Sequence, residues 1–248
     1  MKKPEFSLRM IASIFKPADS KDDFTFSSRV KLMDDFNNDA RIILCNKILN
    51  NFQFILRQSS NTSTSIDAYI GGVFSESSSI EWEPNRWYQI TITRESGSLL
   101  KFYRDGIFIN SSDNNGSIIK EDIEIGYRSI IDESTHPFDG LIDNVLFWSE
   151  ALTESEIQSN MNTNLSGNEE NLVGYWDFNE GSGSVLTDLS GNGNNGTIIG
   201  ANWEQNNSQI SQQNYSLSFD GVDDYVQIAD SDELDGMTNL TVQLWVNF

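Results

Sequence analysis

The sequence is poor in the residues that build disulfide bonds and histidine-dependent active sites. Of its 248 residues, one is cysteine (Cys45) and one is histidine (His136). A single cysteine excludes an intramolecular disulfide, and the apolar neighbours of Cys45 in RIILCN indicate a buried, unreactive thiol. A Ser-His-Asp or Cys-His site would depend on His136 alone. This residue precedes Pro137 in a loop-like segment, so we expect a solvated histidine.

The sequence also lacks long apolar runs. No segment approaches the roughly 20 apolar residues of a transmembrane helix, so no membrane span is predicted. The N-terminal MKKPEF begins with lysines, but the following SLRMIASIF is interrupted by Arg9 and is too short for a signal peptide. We therefore expect the chain to begin inside a longer protein, with the signal peptide outside this fragment.

Basic residues are scarce. Sixteen lysines and arginines stand against 37 acidic residues, which gives a formal net charge of −21. Such a chain repels phosphate groups, so nucleic acids and anionic membrane surfaces are not expected partners. The charge fits an exported protein or one that takes up divalent cations.

Short alternating segments rich in β-branched and aromatic residues dominate, separated by Gly, Asn, Asp and Ser clusters that favour turns. Asp105-Gly106 in YRDGIF supplies the positive-φ pair of a tight hairpin. One helix is predicted in LTESEIQSNM, where Thr153 and Glu156 form a capping box. About twelve short strands and one small helix predict an all-β, antiparallel β-sandwich. The clearest strands are FTFSSRVKL (24–32), FQFILRQ (52–58), WYQITITRE (87–95), LLKFYRDGIFIN (99–110) and LIDNVLFW (141–148).

The chain contains a partial internal repeat. SIFKPADSKDDFTFSSRVKL (13–32) is similar to VQIADSDELDGMTNLTVQLWVNF (226–248), and Phe24 matches Leu240. Both segments run from a strand through Ala-Asp-Ser and an acidic loop into a second strand. The similarity predicts one near-complete structural unit followed by the opening of another.

Several motifs, in their order, resemble laminin-G-like domains of the concanavalin A-like lectin/glucanase superfamily. LVGYWDFNEGSGSVLTDLSGNGNNGTIIGANW, followed by SLSFDGVDDYVQI, resembles the start of such a domain. RWYQITITRESGSLLKFYRDGIFI, IEIGYR and FDGLIDNVLFWSEALTESEI resemble its middle and end. The resemblance covers nearly the whole chain and implies a concanavalin A-like jelly roll. It says little about function, because the fold serves sugar binders, adhesion modules and hydrolases.

The resemblance also suggests a division of the chain. Residues 1–165 form a laminin-G-like sandwich without its opening segment, 166–170 a linker, and 171–248 the N-terminal part of a second unit. In the family, the opening strand lies near the Ile-Asp strand, here 141–148. We hypothesise that 171–203 takes this place and completes the first sandwich.

The glycine-rich stretch DLSGNGNNGTIIGANW (188–203) has three interpretations. A phosphate-binding loop is disfavoured, because a strand-like segment follows where a helix N-terminus is needed and lysine is lacking. A calcium site is favoured, because Asp188, Asn192, Asn194 and Asn195 offer side-chain oxygens and the glycines let carbonyls converge. Zinc and copper are disfavoured, since no histidine or cysteine is near. A long glycine turn with solvated asparagines stays open.

The resemblance adds two acidic residues to the candidate metal ligands, Glu180 of NEGSG and Asp143 of LIDNV. In such domains these acidic positions and the loop carbonyls often gather around a structural calcium ion. The predicted metal ligands are therefore Glu180, Asp188, Asn192 and Asp143, and the expected cofactor is calcium.

Other candidates for chemistry are weaker. Asp122 and Glu124 share one face of a strand, and KEDIEIGY is similar to the paired carboxylates of glucanases with this fold. Those enzymes carry a third acid further along the strand, where Gly126 and Arg128 stand here. We therefore expect an exposed strand face at this position, and we predict no catalytic residues.

Two tryptophans next to loops, Trp82 and Trp203, are candidate stacking platforms for a sugar. The remaining tryptophans in strand patterns are predicted to be core residues: Trp87, Trp148, Trp176 and Trp245.

The sequence thus favours a non-catalytic module that binds a carbohydrate or a cell-surface or matrix ligand and is stabilised by calcium. The parent is expected to be an extracellular, bacterial, repeat-bearing protein whose adjacent domains are further partners. Two alternatives stay open. One is a structural or adhesion spacer with protein partners, and the other is a glycoside hydrolase or lyase of the same fold.

Overall fold

A computed structural model of the protein describes residues 23–32, 40–46, 48–60, 63–119, 123–127, 137–205, 215–228 and 239–246. Within these ranges the chain forms two nine-stranded sheets and one α-helix, which confirms the predicted β-sandwich. The strand pairs described are antiparallel except for one, between the first strand and the last. No helix in this part of the chain has the length and hydrophobicity that a membrane crossing requires.

Sheet A consists of β1 (Asp23–Leu32), β7 (Tyr88–Glu95), β8 (Leu99–Arg104), β9 (Ile107–Asp113), β11 (Asp139–Ser149), β12 (Leu172–Trp176), β15 (Asn202–Gln205), β16 (Tyr215–Asp220) and β18 (Asn239–Val246). Its strands run in the order β15-β16-β11-β1-β18-β7-β8-β9, and β12 pairs with β11 beyond the end of β16. This sheet carries the candidate functional site.

Sheet B consists of β2 (Ala40–Asn46), β3 (Phe52–Ser60), β4 (Ser63–Ile70), β5 (Val73–Glu76), β6 (Ile80–Glu81), β10 (Ile123–Ile125), β13 (Val185–Leu186), β14 (Gly196–Ile199) and β17 (Tyr225–Ile228). The order is β13-β14-β17-β10-β2-β3-β4-β5, with β6 paired to β4. Each sheet therefore contains strands from both halves of the sequence.

The main hydrophobic core lies between the two sheets. Alternate residues in the first half of β3 join it, as the pleat requires, with Phe52, Phe54 and Leu56 fully buried. Phe24 of β1 meets Phe52 from the opposite sheet, with ring centroids 5.9 Å apart and the rings nearly perpendicular. Trp148 and Trp176 are buried as predicted, and Trp87 packs at the edge of this core. The side chain of Trp245 lies outside the described residues.

The local motifs with the strongest turn and cap chemistry form as predicted. Asp105 and Gly106 both have positive φ, 51° and 72°, in the hairpin between β8 and β9. Thr153 caps helix α1 (Glu154–Met161), and the Glu156 carboxylate accepts from the Thr153 N–H at 2.7 Å. The hairpin and the helix contact each other, because the Gln158 amide donates to the Gly106 carbonyl at 3.0 Å.

Helix α1 packs on the outer face of sheet A, away from sheet B. There it covers a second hydrophobic cluster, which we call the satellite core: Tyr103, Leu146, Trp148, Leu152, Ile157 and Leu172. Different members of the satellite core line separate depressions of this face. Tyr103 and Leu152 line one, and Leu146 lines another.

The segment after the predicted linker belongs to both sheets. β12 pairs with β11, where Trp176 lies opposite Val145, and β14 pairs with β17 in the other sheet. Residues 172–199 thus extend the same sandwich as the N-terminal strands. The division of the chain into two units around 166–170 stays a prediction.

The two strands of the internal repeat lie side by side in sheet A. β1 and β18 are parallel, with Thr25 paired to Thr241, which is the offset of the sequence repeat. Ile90 of β7 lies opposite both Ser28 and Leu244, again at that offset. The two copies therefore take equivalent positions between β11 and β7.

Candidate functional site

A polar cleft opens on the outer face of sheet A where β11 changes its partner. β11 pairs with β16 up to Ile142 and with β12 from Val145 onward. Between them, Asn144 has a φ of 52°, a left-handed conformation typical of a β-bulge. The extra residue lets Ile142 and Val145 both enter the core, while Asp143 lines the cleft.

The polar cleft has a volume of about 350 Å³, large enough for a single sugar ring. The segment 164–166, which follows helix α1, closes one side. Carboxyl, guanidinium, amide and phenol groups line it together, so it offers both hydrogen-bond donors and acceptors. The side chains with this chemistry are Arg29, Asp143, Asn144, Asn164, Tyr175, Asp177 and Asn179.

Asp143 is the buried acidic group of the cleft. It is 6% exposed, and its Oδ1 has no hydrogen-bond partner. Burial raises the pKa of Asp143 well above its ordinary range, and Asp177 adds to this, whereas the cross-strand neighbour Arg29 opposes it. Burial also lowers the pKa of Arg29 to about 10, and the attraction of Asp143 acts in the opposite direction, because it raises this pKa. An unpaired buried oxygen is costly, so a ligand that donates a hydrogen bond to it is favoured.

The sequence named Asp143 but missed the other polar side chains of the cleft. Arg29 reaches it through cross-strand pairing with Asp143, and no local pattern shows that contact. Asp177 and Asn179 did carry a signal, since they follow Trp176 in the motif WDFNEG.

The glycine-rich loop is held by the carboxylate of Asp188. Its Oδ1 accepts from the backbone N–H groups of Tyr175 and Ser190, at 3.0 and 2.9 Å. Its Oδ2 accepts from the N–H of Asn194 at 2.9 Å. The Asn194 carbonyl in turn accepts from the indole N–H of Trp176 at 2.8 Å. The loop is therefore tied to β12 by side chains of its own.

The four predicted metal ligands have different surroundings. Asn192 donates through Nδ2 to carbonyls of β12, and Glu180 Oε1 accepts from the Thr187 N–H at 2.6 Å. Glu180 Oε2 is buried without a partner, as is Asp143 Oδ1. Among the described residues, Glu180, Asp188 and Asp143 do not form a group whose carboxylate oxygens lie within 4.8 Å of one another.

Such a group does occur in the turn between β16 and β17, formed by Asp220, Asp223 and Asp224. Burial raises the pKa of Asp224 to about 6. Asp224 Oδ2 accepts from the N–H of Asp220 at 2.6 Å, and Gly221 has a φ of 74°. These contacts organise the turn between the two strands.

The two candidate stacking tryptophans differ in exposure. Trp82 is 2% exposed, and its ring centroid lies 4.3 Å from that of Tyr88, so it is a core residue with no face open to a ligand. Trp203 is half-buried, and its indole N–H donates to the Gly183 carbonyl at 2.9 Å. Trp203 keeps part of its ring at the surface.

The candidate carboxylate pair of a glucanase is not assembled by the described residues. Glu124 is fully buried in β10, where it lies between Cys45 and Gln227 of the neighbouring strands. Asp122 and His136 lie outside the described residues.

Comparison with known families gives one match that spans more than half of the chain. The family Laminin_G_3, described as the concanavalin A-like lectin/glucanases superfamily, matches residues 12–158. No curated protein sequence matches the chain significantly.

Solved structures are similar to the chain at low sequence identity. A Bacteroides ovatus protein described as a candidate carbohydrate binding protein has a TM-score of 0.58 at 18% identity, over 92% of this chain and 59% of its own. The chain therefore spans less than two thirds of that protein. A heptameric SAP-like pentraxin from Limulus polyphemus has a TM-score of 0.44 at 14% identity, over 64% of this chain and 76% of its own. The botulinum neurotoxin serotype D binding domain has a TM-score of 0.40 at 14% identity, over 81% of this chain and 63% of its own.

Proposed function

Because this chain belongs to the concanavalin A-like lectin/glucanase superfamily, we propose that it is a non-catalytic carbohydrate-binding module with the polar cleft as its site. The observation that carries the proposal is the buried, unpartnered Oδ1 of Asp143 beside the guanidinium of Arg29. The Bacteroides ovatus protein of the same fold supports it as an analogy.

The cleft suits a sugar because neighbouring hydroxyls both donate and accept hydrogen bonds. One hydroxyl donates to Asp143 Oδ1, and the next accepts from Arg29 or from the amides of Asn144 and Asn179. Hydrogen bonds to charged groups are stronger in a partly buried site than in water. The ligand thus supplies a donor to Oδ1, the oxygen of Asp143 that has no hydrogen-bond partner in the folded chain.

The proposal also places the protein outside the cell, as a unit of a larger repeat-bearing polypeptide. The internal repeat and the acidic composition support this arrangement. The partners are then a glycan or a surface ligand and the adjacent domains.

The Asp143→Asn variant tests the cleft. We expect binding at least about tenfold weaker, because the amide offers one acceptor oxygen in place of a carboxylate. Stability is expected to fall, because the partly buried guanidinium of Arg29 loses the attraction of Asp143, so affinity is compared on protein shown to be folded. Retardation in gels that contain soluble polysaccharides identifies a ligand, and calorimetry with its oligosaccharide gives the affinity.

Asp139→Asn, on the same strand but outside the cleft, is the matched control and should bind like the parent protein. A folded protein that no polysaccharide retards would contradict the proposed function. So would an Asp143→Asn variant with the affinity of the parent.

Hydrolysis is the second candidate, because two carboxyl groups share the cleft and the pKa of one of them, Asp143, is raised. Reducing ends released from the retarding polysaccharide, and lost in both Asp143→Asn and Asp177→Asn, would establish a hydrolase in place of a binding module.

Calcium binding is a further part of the proposal. Asp143 and Glu180 each keep a buried carboxyl oxygen without a hydrogen-bond partner, which a hard cation would stabilise. Among the described residues, the carboxylate oxygens of Asp143, Glu180 and Asp188 do not form one group within 4.8 Å, so we assign no coordination geometry.

Chelation tests the calcium proposal. We expect EDTA to lower the melting temperature by about 5 °C, and excess calcium to restore it, because a ligand of the folded state alone stabilises that state. Magnesium serves as the control for ionic strength. A melting curve that EDTA leaves unchanged would remove calcium from the proposal.

A further inference from the structure

A second depression of the outer face of sheet A, which we call the aromatic groove, lies over β7, β8 and β9 beside the start of helix α1. Cross-strand pairing brings Thr93 next to Lys101 and Tyr103 next to Phe108, and all four line the groove. The turn 151–154 forms the opposite wall. The volume is about 360 Å³, close to that of the polar cleft.

The groove presents an aromatic ring at the surface. Phe108 is 44% exposed, and its ring lies 5.7 Å from that of buried Tyr103, at an interplanar angle of 67°. The backbone N–H of Phe108 donates to Glu154 Oε1 at 3.3 Å, which ties this edge strand to the helix. An exposed ring in a fixed orientation is a platform for the apolar face of a sugar.

Polar groups surround this platform. Lys101 and Glu95 form an ion pair, and Thr153 and Glu154 line the wall at the helix start. Donors and acceptors are therefore both within the groove. The excess of carboxylates here and the net charge of −21 disfavour an anionic ligand.

We propose that the aromatic groove is a second saccharide subsite, which takes an uncharged hexopyranose unit with Phe108 as its stacking platform. The sugar places its C–H face on Phe108 and its hydroxyls toward Lys101, Glu95 and Glu154. This inference rests on the proposed function but is separate from the polar cleft, because the two depressions share no lining residue.

Phe108→Leu tests the subsite, since leucine keeps an apolar side chain and removes the ring. Methyl glycosides of glucose, galactose, mannose and N-acetylglucosamine are titrated into the full-length ¹⁵N-labelled protein and followed by backbone amide shifts. We expect shifts at 93–103, 108 and 151–154, and an affinity about fivefold lower in Phe108→Leu, which corresponds to about 1 kcal/mol.

The matched control is Ile107→Ala, since Ile107 is 64% exposed and does not line the groove. It should bind like the parent protein. Lys101→Met is a second test variant. It leaves the Phe108 ring in place and removes the charged group that the sugar hydroxyls approach, so it should also weaken binding.

Parental affinity in both Phe108→Leu and Lys101→Met would overturn the subsite. Shifts confined to the polar cleft would also overturn it and leave the proposed function intact. If no glycoside shifts any amide and no polysaccharide retards the protein, the subsite and the proposed function both fail.

Discussion

Replacing Trp176 by alanine is expected to lower the free energy of unfolding by about 4 kcal/mol, the cost of deleting a fully buried tryptophan. The ring is 0% exposed and meets Phe147 edge to face, with centroids 6.2 Å apart. Its N–H donates to the Asn194 carbonyl at 2.8 Å. One side chain thus joins β12, β11 and the glycine-rich loop. Thermal melting should fall by about 10 °C.

Two further variants serve as comparisons for Trp176→Ala. Trp203→Ala, at a half-buried tryptophan, should cost only about 1 kcal/mol. Trp176→Phe keeps an apolar ring and loses the hydrogen bond, so its loss of unfolding free energy should lie between those of Trp176→Ala and Trp203→Ala. If Trp176→Ala costs no more than Trp203→Ala in denaturant unfolding, then 172–199 is not part of the sandwich.

Replacing Asp188 by alanine is expected to cost about 3 kcal/mol. The carboxylate accepts from three backbone N–H groups, those of Tyr175, Ser190 and Asn194, and alanine leaves them without this acceptor. The loss should appear in denaturant unfolding. Hydrogen exchange should become faster at these three amides than at the amides of the core, because the loop opens locally.

The neighbouring Leu189→Ala is the control. Leu189 is 40% exposed, so its loss should cost about 0.5 kcal/mol or less. Asp188→Ala should be destabilising to the same extent with and without EDTA, because its bonds are to backbone N–H groups. An effect that EDTA abolishes would instead assign Asp188 to a cation.

Local chemistry was sufficient to predict several elements. The Asp105-Gly106 hairpin and the Thr153–Glu156 capping box depend on residues adjacent in sequence, and both form as expected. The alternation in Phe52, Phe54 and Leu56 places these three residues on one face of β3, because the pleat has a period of two, and that face joins the main core. The ordered motifs predicted the family, which the match over 12–158 confirms.

The candidate site could be predicted only in part. Asp143 was found through its motif, but its neighbour Arg29 lies on another strand and Asp177 follows the end of β12. The predicted platform Trp82 is a core residue, while Phe108 is exposed in an edge strand. Burial depends on which element covers a residue, and residue type alone does not set it.

By itself, the sequence determined the clearest strands, the hairpin turn and the helix cap, because each depends on periodicity or on chemistry within a few residues. The family followed from the resemblance of its ordered motifs. Tertiary structure alone decided that β11 changes partner at the Asn144 bulge and leaves a cleft there. It also decided that the two repeated strands, β1 and β18, lie side by side. The physical reason is that strand pairing joins residues far apart in the chain, so register and burial are properties of the assembled sheets.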